Sequence, residues 1–150
     1  MRIFAENRKA RAEYQILETF QAGLVLNGQE VKSIKSGRIQ LAGSYVVFRG
    51  EELFLIGAHI PPYQPANAPQ NYIPEAARKL LLRKEELRYL IGKAKEKGLT
   101  LVPLRVYNQK RKLKLEFGLV RGKKQRDKRE DIKKREARRE IERMLKQGDV

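Results

Sequence analysis

The stretch LTLVPLRVYNQKRKLKLEFGLV, residues 99–120, has a clear strand pattern in this 150-residue chain. Its two runs, LTLVPLRVY and KLKLEFGLV, are separated by the polar residues NQKR. In the second run, Leu113, Leu115, Phe117 and Leu119 alternate with Lys112, Lys114 and Glu116. Because successive side chains of a strand point to opposite faces, this alternation predicts a β-hairpin with one apolar face. Pro103 lacks the N–H that a sheet ladder needs, so we expect an edge or bulged position there.

An amphipathic helix and a proline-rich loop precede this hairpin. Apolar side chains recur at the helical spacing i, i+3, i+4, i+7, and Gly98 follows them; they are Leu87, Leu90, Ile91 and Ala94. This spacing predicts a helix over residues 84–97. The stretch PPYQPANAPQNYIP, residues 61–74, has five of the six prolines. Since proline fits neither a helix interior nor a central strand, we expect an irregular loop there.

The N-terminal half predicts three strands and a short helix. Residues 14–26, YQILETFQAGLVL, alternate imperfectly and predict a long strand with a bulge or bend at Gly23. The segment NGQEVKSIKSG predicts a helix that opens after residues 27–28 and ends at Gly37. The segment SYVVFRGEELFLIGAHI predicts two strands that turn at residues 50–51.

These elements predict a mainly β fold with helices. About five antiparallel strands, with a helix inserted before the last pair, resemble a small, partly open barrel of the oligonucleotide-binding type (OB-like) with flanking helices. We assign residues 1–120 to this OB-like RNA-binding barrel and residues 121–150 to a basic tail. Residues 1–13 are short, polar and basic, and we interpret them as an arm that precedes the barrel.

The charge of the chain points to a polyanionic partner. The sequence has 34 Lys and Arg residues against 18 Asp and Glu residues, a net charge of +16 at pH 7. Residues 121–150 hold 13 basic and seven acidic residues, which leaves 21 basic and 11 acidic residues in the body. Both parts are therefore basic, and nucleic acid becomes the leading partner. The longest apolar runs are too short to span a bilayer, so we expect no membrane partner and a cytoplasmic location.

The sequence offers little for catalysis or metal binding. It has no Cys and one histidine, His59, so a zinc site or a Ser-His-Asp site lacks its residues. Glycine spacing matches neither a P-loop nor a dinucleotide fingerprint. We therefore expect a binding protein without a cofactor, a metal or an enzymatic reaction, and we interpret His59 as a structural or surface imidazole.

The tail combines helix-favouring pairs with too few apolar residues to fold alone. Glu130 with Lys134 and Glu142 with Lys146 stand at i, i+4 in the favourable order. Such pairs contribute tenths of a kcal/mol each, roughly, which is less than the ordering entropy of the backbone. We expect a tail that is disordered when free and helical when phosphates neutralise it. A tail that only increases solubility is equally compatible with this composition.

Basic clusters in the body lie in segments with aromatic residues. Cations beside stacking rings suit structured or single-stranded RNA better than the major groove of DNA. Burial in the core is the better interpretation for Phe20, whereas Tyr14 and Tyr72 fit either role.

Six segments, in order along the chain, resemble the SmpB family of SsrA-binding proteins. They are NRKARAEY at Asn7, ETFQAGLVLNGQEVKS at Glu18, GSYV at Gly43, RKLLL at Arg78, KGLTLVPLRVY at Lys97 and GKKQRDKRE at Gly122. The resemblance implies an OB-like barrel that binds the tRNA-like domain of transfer-messenger RNA (tmRNA, or SsrA RNA). It also implies delivery of tmRNA to stalled bacterial ribosomes for trans-translation, in which incomplete peptides are tagged. The implied partners are tmRNA, the ribosome and elongation factor Tu, and the protein itself is expected to be a monomer.

The resemblance also implies two sets of site residues. Those expected to bind tmRNA are Asn7, Arg8, Arg11, Tyr14, Glu30, Lys32, Arg78, Lys79 and Leu81. Those expected to bind the ribosome through the tail, in the mRNA channel and decoding centre of the small subunit, are Gly122, Lys123, Lys124, Asp127, Lys128 and Arg129. The sequence departs from the family pattern at Ala12, Gln21, Arg83 and Arg126, and it lacks an Asp-Pro-x-Arg pattern before RKLLL.

Two other functions remain open at this stage. A basic structural protein of the ribosome with an rRNA-binding extension would have the same charge distribution. A small RNA-modifying enzyme would need a catalytic group, and the sequence offers no constellation for one beyond His59 and scattered carboxylates.

Overall fold

The predicted hairpin is the central unit of the fold in the computed structural model, which describes residues 1–122 and the two positions 139 and 141. In chain order the elements are β1 (Ile3–Glu6), α1 (Arg8–Glu13), β2 (Tyr14–Leu24), α2 (Gly28–Lys35), β3 (Tyr45–Arg49), β4 (Glu52–Ile56), a 3₁₀ turn (Pro65–Asn67), β5 (Arg78–Leu81), α3 (Lys84–Ala94), β6 (Leu99–Gln109) and β7 (Lys112–Gly122). The prediction of a mainly antiparallel β fold with helices is confirmed.

Strands β6 and β7 form the hairpin through a two-residue turn. Lys110 and Arg111 have φ angles of 48° and 69°, the left-handed backbone that suits the right-handed twist of a hairpin. The ladder shifts register between Pro103 and Arg105, so the prediction of a bulged position at Pro103 is confirmed. Strand β6 also pairs with β1 and β3, which makes it an interior strand rather than an edge.

The seven strands pair in the order β1-β6-β3-β4-β5-β2-β7, and β7 pairs again with β6. The sheet therefore curls back on itself. The β2–β7 and β6–β7 pairs are long, whereas the other strand pairs share fewer residues. Strands β3 and β6 join at Val46 opposite Leu101, and β2 and β5 join at Gly23 and Leu24 opposite the end of β5.

The core lies inside this curled sheet. Leu53 and Leu55 of β4 pack with Leu115 and Phe117 of β7, and all four are fully buried. One buried residue from each longer helix joins them: Ile34 from α2 and Leu90 from α3. The apolar face predicted for the last strand is thus the core face. A smaller cluster under α1 consists of Ala10, Val102, Leu104 and Val120.

The structure differs from the sequence-based interpretation at three places. Residues 1–13 are not an arm, because β1 pairs with β6 and α1 packs beside it. Strand β5 was not predicted, since four residues are too few to show a period. The irregularity in β2 falls between Ile16 and Glu18 rather than at Gly23.

The helix predictions hold with one change of length. Helix α2 has a capping box in which Asn27 and Glu30 exchange side-chain and backbone hydrogen bonds, and Gly37 follows it with φ of 79°. Helix α3 ends at Ala94, three residues before the predicted end. Residues 61–74 are an irregular loop that includes the 3₁₀ turn, as predicted. Apart from positions 139 and 141, the predicted helix of the tail lies outside the described residues, and the division at residue 120 stays a prediction.

Candidate nucleic-acid interface

The residues predicted to bind RNA divide into a buried group and an exposed group. Asn7, Glu30 and Arg78 are buried, with 4%, 7% and 2% of their surfaces exposed. The exposed or half-buried ones are Arg8, Arg11, Tyr14, Lys32, Lys79, Leu81 and Gly122. The positions 123, 124 and 127–129 lie outside the described residues.

Arg78 and Glu30 form a buried ion pair that joins four segments. Arg78 Nε donates to Glu30 Oε2 at 2.6 Å, while its two terminal nitrogens donate to Ala58 O at 2.9 Å and Pro74 O at 2.8 Å. The other carboxylate oxygen, Glu30 Oε1, accepts from the backbone N–H of Asn27 at 3.0 Å. Arg78 therefore holds the start of α2, the chain after β4, the end of the 61–74 loop and β5 together.

Asn7 is occupied inside the protein. Its Oδ1 accepts from the backbone N–H of Ala10 at 3.2 Å and caps α1, while its Nδ2 donates to Pro103 O at 2.9 Å. Its backbone N–H donates to Leu104 O at 2.8 Å. These bonds fix α1 at the bulge of β6, so Asn7 sets the position of α1 and its cations.

The first exposed group lies on α1 and at the adjoining strand ends. The Arg8 side chain is 91% exposed, with Nε 3.9 Å from Glu6 Oε2. Arg11 lies 3.4 Å from Glu116 Oε1, and Arg105 binds the other oxygen of the same carboxylate at 2.9 Å. Two cations thus share one anion, which leaves this surface positive.

Tyr14 and Gly122 bring the start of the tail to this group. The two residues are opposite each other in the β2–β7 ladder, directly after α1 and directly before residue 123. Tyr14 is half-buried, and a hydrogen bond with Tyr45, together with burial, raises the pKa of its phenol. Strand β7 therefore ends next to the C-terminal end of α1, which has Arg11 in its last turn.

The second exposed group lies on α2 and β5. Lys32 Nζ is 6.0 Å from the centre of the Tyr63 ring. Lys79 Nζ is 3.4 Å from Glu52 Oε1 in a solvent-exposed pair. Leu81 is 53% exposed, a large apolar side chain in contact with solvent at the end of β5.

Leu81 borders two neighbouring grooves. One groove is also lined by Phe20, Gln21, Arg83 and Lys114, with Glu85 and Glu86 at its α3 side. The other has an apolar floor and a basic rim; its lining is Gly23, Leu24, Leu26, Val31, Lys35, Arg111, Lys112, Leu113 and Lys114. The cations at the tip of the β6–β7 hairpin were not among the predicted site residues. Their signal in the sequence was the polar face of KLKLEF, which alternates away from the core.

Phe20 and Tyr72, considered above as core or stacking residues, both make contacts within the protein. Phe20 stacks on Phe117 with ring centres 5.6 Å apart, so the prediction that it joins the core is confirmed. Tyr72 is half-buried and donates its hydroxyl to Ile60 O at 2.7 Å. Burial raises the pKa of Tyr72. Tyr63 was not singled out, because only the tertiary contact with α2 places it beside Lys32.

Neither a metal cluster nor a membrane helix occurs in the part of the chain that the structure describes. Among these residues no three His, Cys, Asp or Glu side chains are grouped so that they could hold an ion. No helix there is both long and apolar enough to cross a bilayer. His59 Nδ1 contacts Glu75 Oε1 in a solvent-exposed pair, which agrees with a surface imidazole.

Comparisons with known proteins give the family. A family model described as SmpB protein matches residues 4–147. The chain belongs to the SmpB family. An SsrA-binding protein of Acaryochloris marina is 49% identical over 147 residues, which is 98% of this chain and 96% of the relative. An SsrA-binding protein of Acetivibrio thermocellus is 51% identical over 147 residues, or 98% of this chain and 95% of the relative.

A solved structure agrees with this membership of the SmpB family. It is described as "tmRNA-SmpB: a journey to the center of the bacterial ribosome" and superposes with a TM-score of 0.67 at 48% identity. The match covers 81% of this chain and 85% of the solved one. The family predicted from the six sequence segments is therefore confirmed.

Proposed function

We propose that this chain binds the tRNA-like domain of tmRNA and delivers it to stalled bacterial ribosomes for trans-translation. The observation that carries the proposal is identity near 50% with SsrA-binding proteins over almost the whole chain. The solved relative that pairs tmRNA with SmpB supports the same partner and the same setting on the ribosome. Binding, rather than catalysis, is the proposed activity of the protein.

The charge of the body supports an RNA partner. The first 120 residues hold 21 basic and 11 acidic residues, and several of the acidic ones are already paired with cations. Phosphates would meet the remaining positive charge. The proposed contacts are the exposed or half-buried residues Arg8, Arg11, Tyr14, Lys32, Lys79 and Leu81. The buried residues Asn7, Glu30 and Arg78 would act by holding the elements that present those contacts.

The tail would carry the second activity. We propose that Gly122, Lys123, Lys124, Asp127, Lys128 and Arg129 bind the decoding centre and the empty mRNA channel, where the tail becomes helical. Gly122 ends β7 beside α1, so the tail would begin at the cations of the body. The further proposals are that elongation factor Tu joins the delivery complex, that the protein acts as a monomer and that it works in the cytoplasm.

The first experiment measures affinity for the tRNA-like domain of tmRNA against a tRNA of similar length. We expect tighter binding to the tRNA-like domain, and a plot of log K against log salt with a slope of about −0.7 to −0.9 per phosphate contact. An affinity that does not change with salt concentration, or equal affinity for both RNAs, would contradict the proposal.

The second experiment separates body from tail. Deletion of residues 123–150 leaves the whole of β7 in place. We expect the shortened protein to bind tmRNA and to fail in peptide tagging on ribosomes stalled at truncated messages. Loss of tmRNA binding with tagging intact would show that the division of labour is wrong.

A basic structural protein of the ribosome is the second candidate, because the strongly basic extension would also suit rRNA. It predicts one copy on every ribosome, including those that are translating. Quantification of the protein across a polysome gradient distinguishes the two, since the tmRNA factor should be substoichiometric there.

A further inference from the structure

The 61–74 loop is fastened to α2 at Tyr63. Gln29 Oε1 accepts from the backbone N–H groups of Tyr63 at 3.0 Å and of Gln64 at 3.4 Å. On the other side Arg38 Nη1 donates to the carbonyl oxygen of Tyr63 at 3.3 Å. Side chains thus bind both polar backbone groups of Tyr63, and the ring has a defined position although it belongs to an irregular loop.

The far end of the same loop is fastened as well. Pro74 O accepts from Ile60 N at 3.0 Å and from Arg78 Nη2 at 2.8 Å. The hydroxyl of Tyr72 donates to Ile60 O. A loop held at both ends can keep a side chain ready for a ligand, because less conformational entropy is lost when the ligand binds.

Two cations lie close to Tyr63, one at its ring and one at its backbone carbonyl. Lys32 Nζ is 6.0 Å from the ring centre, and Arg38 is exposed next to the Tyr63 carbonyl. The acidic residue of α2, Glu30, is buried and bound by Arg78 and Asn27, so it is not available to repel an anion. Lys32, Arg38 and the half-buried ring of Tyr63 form what we call the Tyr63 surface.

This combination has the chemistry of a site for single-stranded RNA. Cations neutralise the phosphates, while an aromatic ring can stack on an unpaired base of any identity. We propose that the Tyr63 surface binds an unpaired nucleotide of tmRNA. The inference rests on the proposed function, and tmRNA is the occupant because Lys32 is also one of the residues proposed to contact that RNA.

A tryptophan introduced in place of Tyr63 gives a direct measurement. The chain has no Trp, so Tyr63→Trp places one indole at the site. We expect its fluorescence to be quenched by the tRNA-like domain of tmRNA, with a midpoint equal to the Kd from anisotropy of labelled RNA. Tyr89→Trp is the matched control, because Lys93 Nζ lies 5.8 Å from the Tyr89 ring but the hydroxyl is 2.7 Å from the Glu18 carboxylate. That carboxylate repels phosphate, so we expect little quenching in the Tyr89→Trp variant.

Affinities of full-length variants test the two parts of the surface separately. Tyr63→Ala should weaken binding about five- to 150-fold, the usual effect of losing one stacked base, without a change in the salt slope. Lys32→Gln should instead reduce the slope by about 0.7, one phosphate contact. Tyr63→Phe keeps the ring and should bind within about twofold of the unchanged protein. Thermal unfolding of each variant shows whether it is folded.

The outcomes separate this inference from the proposed function. If the unchanged protein does not prefer the tRNA-like domain, the proposed function fails. If it binds but the fluorescence of Tyr63→Trp does not change, or folded Tyr63→Ala binds equally well, the Tyr63 surface is not a tmRNA site. Quenching by ribosomes without tmRNA, but not by the tRNA-like domain, would assign the surface to rRNA or a ribosomal protein and overturn the inference. Should Tyr63→Ala fail to fold, the fluorescence of Tyr63→Trp decides.

Discussion

Replacing Arg78 by methionine should destabilise the whole body, although the sequence motif RKLLL suggested an RNA contact there. The side chain is 2% exposed and donates three hydrogen bonds, to Glu30, Ala58 and Pro74. Methionine has similar length but neither charge nor donors. The variant would leave the Glu30 carboxylate buried without its cation, and Ala58 O without this donor.

The expected cost is about 3–5 kcal/mol of unfolding free energy, the usual effect of removing one partner of a buried ion pair. Pro74 O keeps a second donor, the backbone N–H of Ile60, so losing its bond to Arg78 contributes little to this cost. At about 4 °C per kcal/mol for a domain of this size, the melting temperature should fall by about 10–20 °C. Urea unfolding followed by circular dichroism measures the free energy, and a thermal melt measures the shift.

The neighbouring Lys79→Met is a matched control. Lys79 pairs with Glu52 at 3.4 Å, but both side chains are about half exposed, so its loss should cost no more than about 1 kcal/mol. The variant Glu30→Gln keeps the oxygen that caps α2 and removes only the charge. Combined with Arg78→Met it should cost less than the two single effects added, because no unpaired charge remains.

A result within about 1 kcal/mol of the unchanged protein for Arg78→Met would refute the reasoning, since a buried charge left without its partner costs more than that. So would full stability combined with loss of tmRNA binding, since Arg78 would then contact RNA directly rather than support the fold.

Three further predictions concern stability. Asn7→Ala removes the cap of α1 and the bond to Pro103 O, and thermal unfolding should show a loss of about 1–2 kcal/mol; an unchanged melt would contradict the role of the cap. A Cβ at Gly118 would lie 3.2 Å from both Leu104 Cδ1 and Val120 Cγ1, so Gly118→Ala should cost about 1–3 kcal/mol in urea unfolding, whereas the open position Gly92→Ala should not destabilise. Burial raises the pKa of Tyr107, whose hydroxyl has no partner among the described residues. The neutral phenol is favoured in the folded state, so stability should fall as pH rises above about 10, and less so in Tyr107→Phe; parallel pH profiles would refute this.

Local periodicity explains what could be predicted from the sequence. The alternation around Phe117 and the helical spacing around Leu90 each repeat over enough residues to define an element. The turn at Gly50 and the helix stop at Gly37 follow from their left-handed backbone angles. These signals depend only on residues that are close together in the chain, so they can be recognised in the sequence.

Long-range contacts explain what could not be predicted. Strands β1 and β5 have four residues each and are defined by their pairing with distant strands. The pattern of the family identified Glu30 and Arg78 as candidate RNA contacts, but a residue's type does not tell which way its side chain points. The position of Tyr63 depends on Gln29, 34 residues earlier in the chain.

The pairing of β2 with β7 has a consequence for biosynthesis. Tyr14 leaves the translating ribosome early, but its partner Gly122 is added roughly 100 residues later, about 5–20 s at usual elongation rates. During that interval β2 has no β7 to complete its backbone hydrogen bonds, and its open edge can pair with another nascent chain. Pairing of this edge with another chain before residue 122 is added would therefore compete with folding.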